Sequence, residues 1–201
     1  MKRVSTYSGA VVLAAALIWP VTAETCGYHD PSVLARGILN WTYPKALYVG
    51  TAVWQAEASG VLPRPTQTPT DLFAYQRTVR HLQALGERLR RSRIAQGPGS
   101  SFSMVLLDSM LWTRFAAAPE GYAVEVHADG PAEGDVVLVT HGKVIRALAE
   151  GSFDAVVAEE YGLVRLYGPP ASQERVRTIL ATTAAAQAVR AKAVTDWASD
   201  P

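Results

Sequence analysis

The stretch DVVLVTHGKVIRALAEGSFDAVVAEEYGLVRLYG, residues 135–168, decides the fold class of this chain. It opens with DVVLVT at 135–140, a nearly uninterrupted β-branched run that is typical of a strand buried on both faces. Two helical segments follow, at 143–150 and at about 151–160. LVRLY at 163–167 then predicts a last strand. Strands and short helices mixed in this way predict an α+β domain.

The residues before this stretch have the period of further strands. YAVEVHA at 122–128 alternates apolar and polar side chains, as a half-buried strand does. SFSMVLL at 101–107 and LWTRF at 111–115 predict two shorter strands joined near Asp108, and 116–121 predicts a turn. The sheet is therefore expected to be small and mostly antiparallel, with helices covering it.

The chain is predicted to consist of a signal peptide, a helical section and an α+β domain, at residues 1–23, 24–96 and 97–201. The last boundary lies where a helix ends abruptly at Gly97-Pro98-Gly99. Within the domain, Gly151 and Gly162 suit helix ends with a positive φ. An alanine-rich segment at about 172–195 predicts the final helix.

The helical section is predicted to contain three helices. The first begins near Asp30 with Pro31 in its first turn, and the second spans 44–59. The apolar side chains of the second helix predict an inward face made of Leu47, Tyr48, Val49, Val53 and Trp54. The third helix, at 71–95, has the clearest apolar stripe in the chain.

The remaining faces of the third helix are strongly basic. They carry six arginines against one glutamate, Glu87: Arg77, Arg80, Arg88, Arg90, Arg91 and Arg93. This excess predicts contact with an anionic membrane surface or an acidic partner, with these contact residues: Arg77, Arg80, Arg88 and Arg91. The alternative is a solvated helix face, since arginines near a helix C-terminus interact favourably with the helix dipole.

The N-terminus has the three parts of a secretory signal. Lys2 and Arg3 supply the positive charge, GAVVLAAALIW at 9–19 the apolar core, and Val21-Thr22-Ala23 the small residues of a cleavage site. The apolar core is short for a membrane span. We expect cleavage near Ala23 and a periplasmic or secreted mature protein. An uncleaved N-terminal anchor is the alternative.

The composition excludes several classes of protein. Hydrophobic residues make up 49% of the chain and the formal net charge is +1, which excludes an intrinsically disordered protein. Nucleic acid is not expected as a partner, because binding it usually requires a strong basic excess. Residues 24–100 carry nine basic and five acidic side chains, whereas residues 101–201 carry eight and thirteen. This asymmetry indicates two parts that attract each other, or one face that meets an anionic surface.

Cys26 is the only cysteine, so no intramolecular disulfide can form. It precedes His29 by three residues, and a turn could bring both side chains to one metal ion. Two ligands make an incomplete site. A metal or redox role for Cys26 and His29 is therefore a hypothesis beside that of a buried, reactive or intermolecularly bridged thiol. No cofactor is predicted from the rest of the chain.

The second half of the chain resembles a sterol-carrier-protein-2-like (SCP2-like) lipid-binding domain, over about residues 100–185. Four segments carry the resemblance: DVVLVT at 135–140, VIRALAEG at 144–151, Phe153-Asp154 with Ala158, and GLVRLYG at 162–168. The resemblance implies an apolar tunnel between the sheet and the covering helices, without a universal catalytic residue. The side chains that would line it are Val144, Leu148, Phe153, Val157 and Ile179. The alternative is that they fill a solid core.

Two functional hypotheses follow. The first is an exported, non-catalytic protein that binds a hydrophobic ligand (a lipid or acyl chain) and is steered to an anionic membrane face by its arginine-rich helix. The second is an accessory or assembly protein that docks on an exported enzyme through aromatic anchors: Trp41, Tyr43, Tyr48 and Trp54. Exposure of these aromatic side chains would favour the second hypothesis, and their full burial would exclude it.

Catalysis has little support in the sequence. The chain lacks a Gly-x-Ser-x-Gly elbow, a dinucleotide fingerprint and a zinc-protease motif. The adjacent Glu159 and Glu160 point about 100° apart on a helix, which does not suit a glycosidase pair. His141 lies between a predicted strand and a helix start, where a side chain can contact a ligand, although ordinary loop histidines also occupy such places. We therefore predict no catalytic residue.

Overall fold

A computed structural model describes residues 31–63, 73–93 and 100–181. In chain order, its elements are α1 (Pro31–Thr42), α2 (Tyr48–Ala58), α3 (Ala74–Arg93), β1 (Phe102–Leu106), β2 (Leu111–Ala118), β3 (Gly121–Val126), β4 (Val136–Thr140), α4 (Gly142–Glu150), α5 (Ala155–Glu160) and β5 (Arg165–Tyr167). A last helix, α6, is described over 170–181. This is the predicted α+β class, with helices preceding the sheet.

The strands form one sheet in the order β3-β2-β1-β4-β5. Neighbouring strands are antiparallel except β1 and β4, which run parallel, so the sheet is mostly antiparallel as predicted. β1 and β4 lie inside the sheet, and every residue of both strands is buried. When both faces of a strand are covered, apolar and polar residues need not alternate along it. This explains the continuous apolar run of β4.

One face of the sheet packs against α3. Phe102 and Phe115 lie opposite each other on β1 and β2, and their rings stack with centroids 4.7 Å apart. Val124 of β3 is the register partner of Phe115. Gly86 of α3 lies directly over this group, because a Cβ added to it would overlap Val124 and contact Phe115. The leucines of α3, Leu82, Leu85 and Leu89, belong to the same core.

The other face of the sheet packs against the turn between α1 and α2. Tyr43 in this turn lies beside Trp112 of β2 and Tyr167 of β5, with ring centroids 6.4 and 5.2 Å apart. The hydroxyl of Tyr167 also donates a hydrogen bond to the carbonyl oxygen of Pro44 at 2.9 Å. The sheet is therefore enclosed between α3 on one side and the α1–α2 pair on the other.

The predicted inward face of α2 is wrong for three of its five residues. Val49 and Val53 are buried together with Ala56, at the i, i+4, i+7 spacing of one helix side. Leu47, Tyr48 and Trp54 are exposed. Only one side of α2 packs against the sheet. The remaining large apolar residues of this helix therefore face solvent. The helix also begins at Tyr48 and not at residue 44, after a turn in which Lys45 has φ +69°.

Several other boundaries differ from the sequence predictions by a few residues, including the start of β5 at Arg165 and the end of β3 at Val126, and two of the differences have a clear physical cause. Residues 116–118 belong to β2 and not to a turn, because they pair with the first residues of β3 and only 119–120 form the turn. Helix α5 begins at Ala155 and not near Gly151, because the Asp154 side chain accepts hydrogen bonds from the N–H groups of Val156 and Val157. Gly151 instead ends α4 at φ +75°, as predicted. Within the described residues, no helix is both long enough and apolar enough to cross a membrane.

Candidate functional site

Helices α1 and α2 expose an apolar surface, which we call the aromatic face. Its residues are Leu34, Ile38, Trp41, Leu47, Tyr48 and Trp54. Trp41 is 90% exposed, Tyr48 63% and Trp54 68%. Three of the four aromatic residues predicted as docking anchors are therefore in solvent. The fourth, Tyr43, is half-buried against the sheet, and this burial raises the pKa of its hydroxyl.

The aromatic face is almost free of charge. Residues 31–63 contain three charged side chains, Arg36, Lys45 and Glu57. Arg36 is turned toward the end of β1, where it donates hydrogen bonds to the carbonyl oxygens of residues 107 and 108 at 3.0 and 3.1 Å. Glu57 forms an ion pair with Lys143 of α4 at 2.7 Å. Lys45 is the charged side chain of this segment that stays exposed.

The arginines of α3 form a second surface, which we call the arginine stripe. Arg77, Arg80, Arg88 and Arg91 are separated by three, eight and three residues, which places them on one side of the helix. This side is opposite the buried leucines. Arg80 and Arg91 are exposed, whereas Arg77 and Arg88 are half-buried. Partial burial, together with the charge of Arg91, lowers the pKa of Arg88.

The acidic residue Glu87 is on the same helix as the arginine stripe. Its carboxylate is bound by Arg90 at 2.5 Å, and Arg91 is 3.8 Å away. Near the other end of the helix, His81 lies close to Arg146 of α4. Partial burial lowers the pKa of His81; Glu150 opposes this shift, and three nearby arginines reinforce it. His81 is therefore close both to arginines of α3 and α4 and to the carboxylate of Glu150 on α4.

The side chains predicted to line a lipid tunnel lie in or against the hydrophobic core. Val144 is fully buried and Leu148 is buried within the core cluster. Phe153 and Ile179 are partly buried and pack against that cluster, and Val157 is also partly buried. The structure thus brings four of these residues to one core, while a tunnel along them stays a prediction.

A polar cluster at the ends of β1 and β4 was not predicted. Because these strands are parallel, Asp108 and His141, which follow them, meet at one edge of the sheet. The Gly142 N–H donates to Asp108 Oδ1 at 3.0 Å, and the Lys143 N–H donates to His141 Nδ1 at 3.2 Å. Both side chains cap α4, so the cluster is explained by helix capping. Burial lowers the pKa of His141, although the nearby Asp108 carboxylate opposes the shift.

The predicted metal ligands Cys26 and His29 lie outside the described residues, and their role stays a prediction. Among the described residues, no group of three or more His, Cys, Asp or Glu side chains could hold a metal ion. Neither a scan against protein-family models nor a search of the curated proteins finds a match to the chain. The resemblance to sterol-carrier domains accordingly stays a prediction as well.

Proposed function

We propose that this chain is an exported, non-catalytic accessory protein that docks on a partner protein through its aromatic face. The observation that carries the proposal is the exposure of Trp41, Tyr48 and Trp54 on a molecule whose core is otherwise well packed. Tryptophan and tyrosine are the most frequent anchors of protein interfaces. Large exposed apolar patches on folded proteins generally mark interaction sites.

The size of the aromatic face suits an interface. Aromatic side chains bury 150–250 Å² each, so the three exposed rings offer on the order of 450 Å². The three aliphatic side chains bring the face toward the roughly 800 Å² that each partner contributes to a standard interface. Isolated surface leucines need no explanation, but six exposed large apolar residues in α1, α2 and the turn between them are a candidate for docking.

The surroundings of the face favour a protein partner over a lipid surface. Polar, uncharged side chains surround it, including Asn40, Thr42, Thr51 and Gln55. An apolar centre with a polar rim is the usual anatomy of a protein interface. Helices that lie on membranes usually carry Lys and Arg beside their apolar face. Here the arginine stripe lies across the sheet, so the aromatic face lacks that electrostatic support. The partner is therefore expected to present an apolar, weakly charged pocket.

Site-specific photo-crosslinking in the producing cells tests the proposal. A photoreactive amino acid at position 41 or 54 should crosslink to the same protein, while one at the exposed position Glu120 should not. The identified partner is then purified, and its affinity for the chain is measured. Trp41→Ala should weaken binding by at least tenfold, because the removal of one anchor typically costs more than about 1.4 kcal/mol.

The controls separate a docking defect from a folding defect. Trp41 is almost fully exposed, so Trp41→Ala should leave the thermal unfolding midpoint unchanged. Gln55→Ala, on the rim of the face, should retain near-normal affinity. Crosslinking of positions 41 and 54 to lipid alone would overturn the proposal and assign the face to a membrane. Equal affinity of Trp41→Ala and the unsubstituted chain would overturn it as well.

A second contact, with an anionic membrane face, is supported by the arginine stripe. Four arginines share one side of α3. Guanidinium groups pair well with phosphate, and each basic residue near an anionic surface contributes about 1 kcal/mol. Since the stripe and the aromatic face lie on opposite sides of the sheet, both contacts can form at once. The protein would then hold its partner at the membrane surface.

The hydrophobic-ligand hypothesis is the competing proposal. It requires space among Val144, Leu148, Phe153, Val157 and Ile179, which pack in or against the core. Affinity would come from apolar surface removed from water, at about 25 cal/mol per Å². The two proposals differ in a direct observable, since a carrier binds a small molecule and a docking protein does not need one.

A further inference from the structure

A groove of about 350 Å³ lies beside β5. β5 is at the edge of the sheet, because β4 is its only neighbour there. The groove is lined by the end of α5, by β5 and by one residue of α6, Arg177. Its volume is at the lower end of the range for small-molecule sites. No residue of the aromatic face or of the arginine stripe lines the groove, although Gly162 and Tyr167 in its wall approach the α1–α2 pair.

Among the described residues, none accepts a hydrogen bond from Arg165 in the wall of this groove. Ten other arginines have side chains that the structure describes, and each has a hydrogen bond, an ion pair or another polar interaction. Arg165 forms no hydrogen bond or ion pair with any described residue, and its Nε is buried without a hydrogen-bond partner. A partly buried guanidinium without an acceptor is costly, so an oxygen ligand from outside would stabilise it.

The local backbone leaves room at this guanidinium. Gly162 follows α5 with φ +70°, a conformation that side chains rarely adopt. A Cβ added to Gly162 would be 4.0 Å from Arg165 Nη2, so this nitrogen lies beside the glycine. Arg177, on the other side of the groove, is already occupied. Its Nε pairs with Glu159 at 2.8 Å, and its Nη1 with Glu174 at 3.3 Å.

The charges of the groove restrict the ligand. With Arg177 and Glu159 paired to each other, Arg165 supplies the positive charge and Glu160 a negative one. A phosphate dianion would be repelled by Glu160, whereas a carboxylate carries one charge and matches the planar fork of a guanidinium. The ring of Tyr167 supplies apolar wall, whereas Val164 and Leu166 border the groove but are buried in the core. We infer that the groove binds a small monocarboxylate with a short apolar chain, through Arg165.

The test is a titration of the full chain with sodium butyrate, followed by backbone amide NMR at constant ionic strength. Saturable shifts are expected in β5, at the end of α5 and in α6, with a dissociation constant of roughly 1 mM for so small a ligand. Inorganic phosphate should bind at least tenfold more weakly. Arg165→Lys keeps the charge but loses the fork, so butyrate binding should fall about tenfold or more.

Arg175→Lys is the matched control, because Arg175 is exposed and its hydrogen bonds to described residues go to Ser100 and Ser172. It should bind butyrate like the unsubstituted chain. If Arg165→Gln folds, it should show no saturable shifts. The inference is overturned by an absence of saturable shifts in the unsubstituted chain, by equal binding of phosphate, or by unchanged butyrate affinity in Arg165→Lys. None of these outcomes depends on the docking proposal.

Discussion

Asp135 holds the segment that connects β3 to β4 against the sheet. Its side chain is 5% exposed and accepts hydrogen bonds from Ser103 Oγ at 2.9 Å and from Arg114 Nε at 3.0 Å. Ser103 and Arg114 are register partners on β1 and β2, so Asp135 joins three strands. Ser103 also accepts a hydrogen bond from the N–H of Ala132. The segment between β3 and β4 is thereby held against the sheet.

Removal of this carboxylate should destabilise the fold. Asp135→Ala leaves a fully buried hydroxyl and a guanidinium without their acceptor, and we expect a loss of about 2–4 kcal/mol in the free energy of unfolding. Urea denaturation measures it. Glu133→Ala, an exposed neighbour in the same segment, should change the free energy by less than about 0.5 kcal/mol. Equal effects of the two substitutions would show that the network contributes nothing to stability.

His141 should make the stability of the protein depend on pH. Burial lowers its pKa below the ordinary value of 6.5 in the folded state, so the unfolded chain binds a proton first. Stability is therefore complete above about pH 6.5 and falls as the pH drops toward the folded-state pKa. His81, whose pKa is also lowered by partial burial, contributes with the same sign.

His141→Asn isolates the contribution of this residue, since an asparagine can still cap α4. The variant should lose less stability than the unsubstituted chain between pH 7 and pH 5, measured by urea denaturation. His127→Asn, at an exposed position, serves as the control and should follow the unsubstituted chain. An identical pH dependence in His141→Asn and the control would contradict the assignment.

These polar partners could not be predicted from the sequence. Asp135 is recognisable as the first residue of a strand, but Arg114 is 21 residues away and Ser103 is 32 residues away. Only the register of three strands brings them together. The pair of Asp108 and His141 likewise depends on β1 and β4 being parallel, and the sequence leaves strand direction open.

Helix α3 contains a glycine, Gly86, at a position where close packing against the sheet leaves no room for a side chain. Replacing a helical glycine with alanine normally stabilises a helix by about 0.5–1 kcal/mol. At Gly86, however, the new Cβ would overlap the Val124 side chain. We expect Gly86→Ala to destabilise the protein by about 1–3 kcal/mol, as overpacked core substitutions do.

Gly37 of α1 provides the opposite case. A Cβ at this position meets no atom within 4 Å, so Gly37→Ala should stabilise the protein by up to about 1 kcal/mol. Thermal unfolding of the two variants compares them directly. A stabilised Gly86→Ala would mean that α3 does not approach β3 as closely as described.

The arginine stripe of α3 should determine binding to anionic vesicles. Replacing Arg80 and Arg91 with glutamine removes two exposed charges, each worth about 1 kcal/mol near an anionic surface, so affinity should fall roughly 30-fold. Co-sedimentation with vesicles of 30% phosphatidylglycerol measures it, and salt should weaken binding in the same way. The double variant Lys45→Gln with Arg175→Gln changes the net charge equally and should bind normally. Equal loss in both double variants would show that only net charge matters.

The elements themselves were predictable where one physical signal dominated. The continuous run of β4 and the alternation of β3 both gave the observed strands. The side of α2 that faces the sheet was not predictable, because apolar residues surround most of that helix. A wide apolar arc indicates that part of the helix surface is buried. It does not indicate which apolar residues pack against the sheet and which stay exposed to a partner protein. The exposed Trp54 is the residue for which this distinction matters most.

The α+β class followed from local patterns, whereas the sheet order and the enclosure of the sheet by helices on both sides did not. α3 belongs to the helical section in sequence, but Leu82 and Leu89 are part of the same core as the sheet. The helical section and the α+β section therefore share one core. The excess of basic residues in the first half of the sequence corresponds in the structure to the arginine stripe. With the stripe and the aromatic face on opposite sides of the sheet, the molecule is suited to connect two surfaces.

Native mass spectrometry of the protein purified from the producing cells decides between the docking and carrier proposals. If Val144 and Leu148 fill a solid core, the chain should appear without a bound molecule of several hundred daltons, because no space remains for an acyl chain. A mass equal to the chain from Glu24 onward would also confirm cleavage after Ala23. The same spectrum in organic solvent is the control, since a genuine lipid ligand would be lost there. An adduct present only under native conditions would contradict the solid core and favour the carrier. Leu148→Trp should then displace the adduct, because it fills the space that the ligand needs.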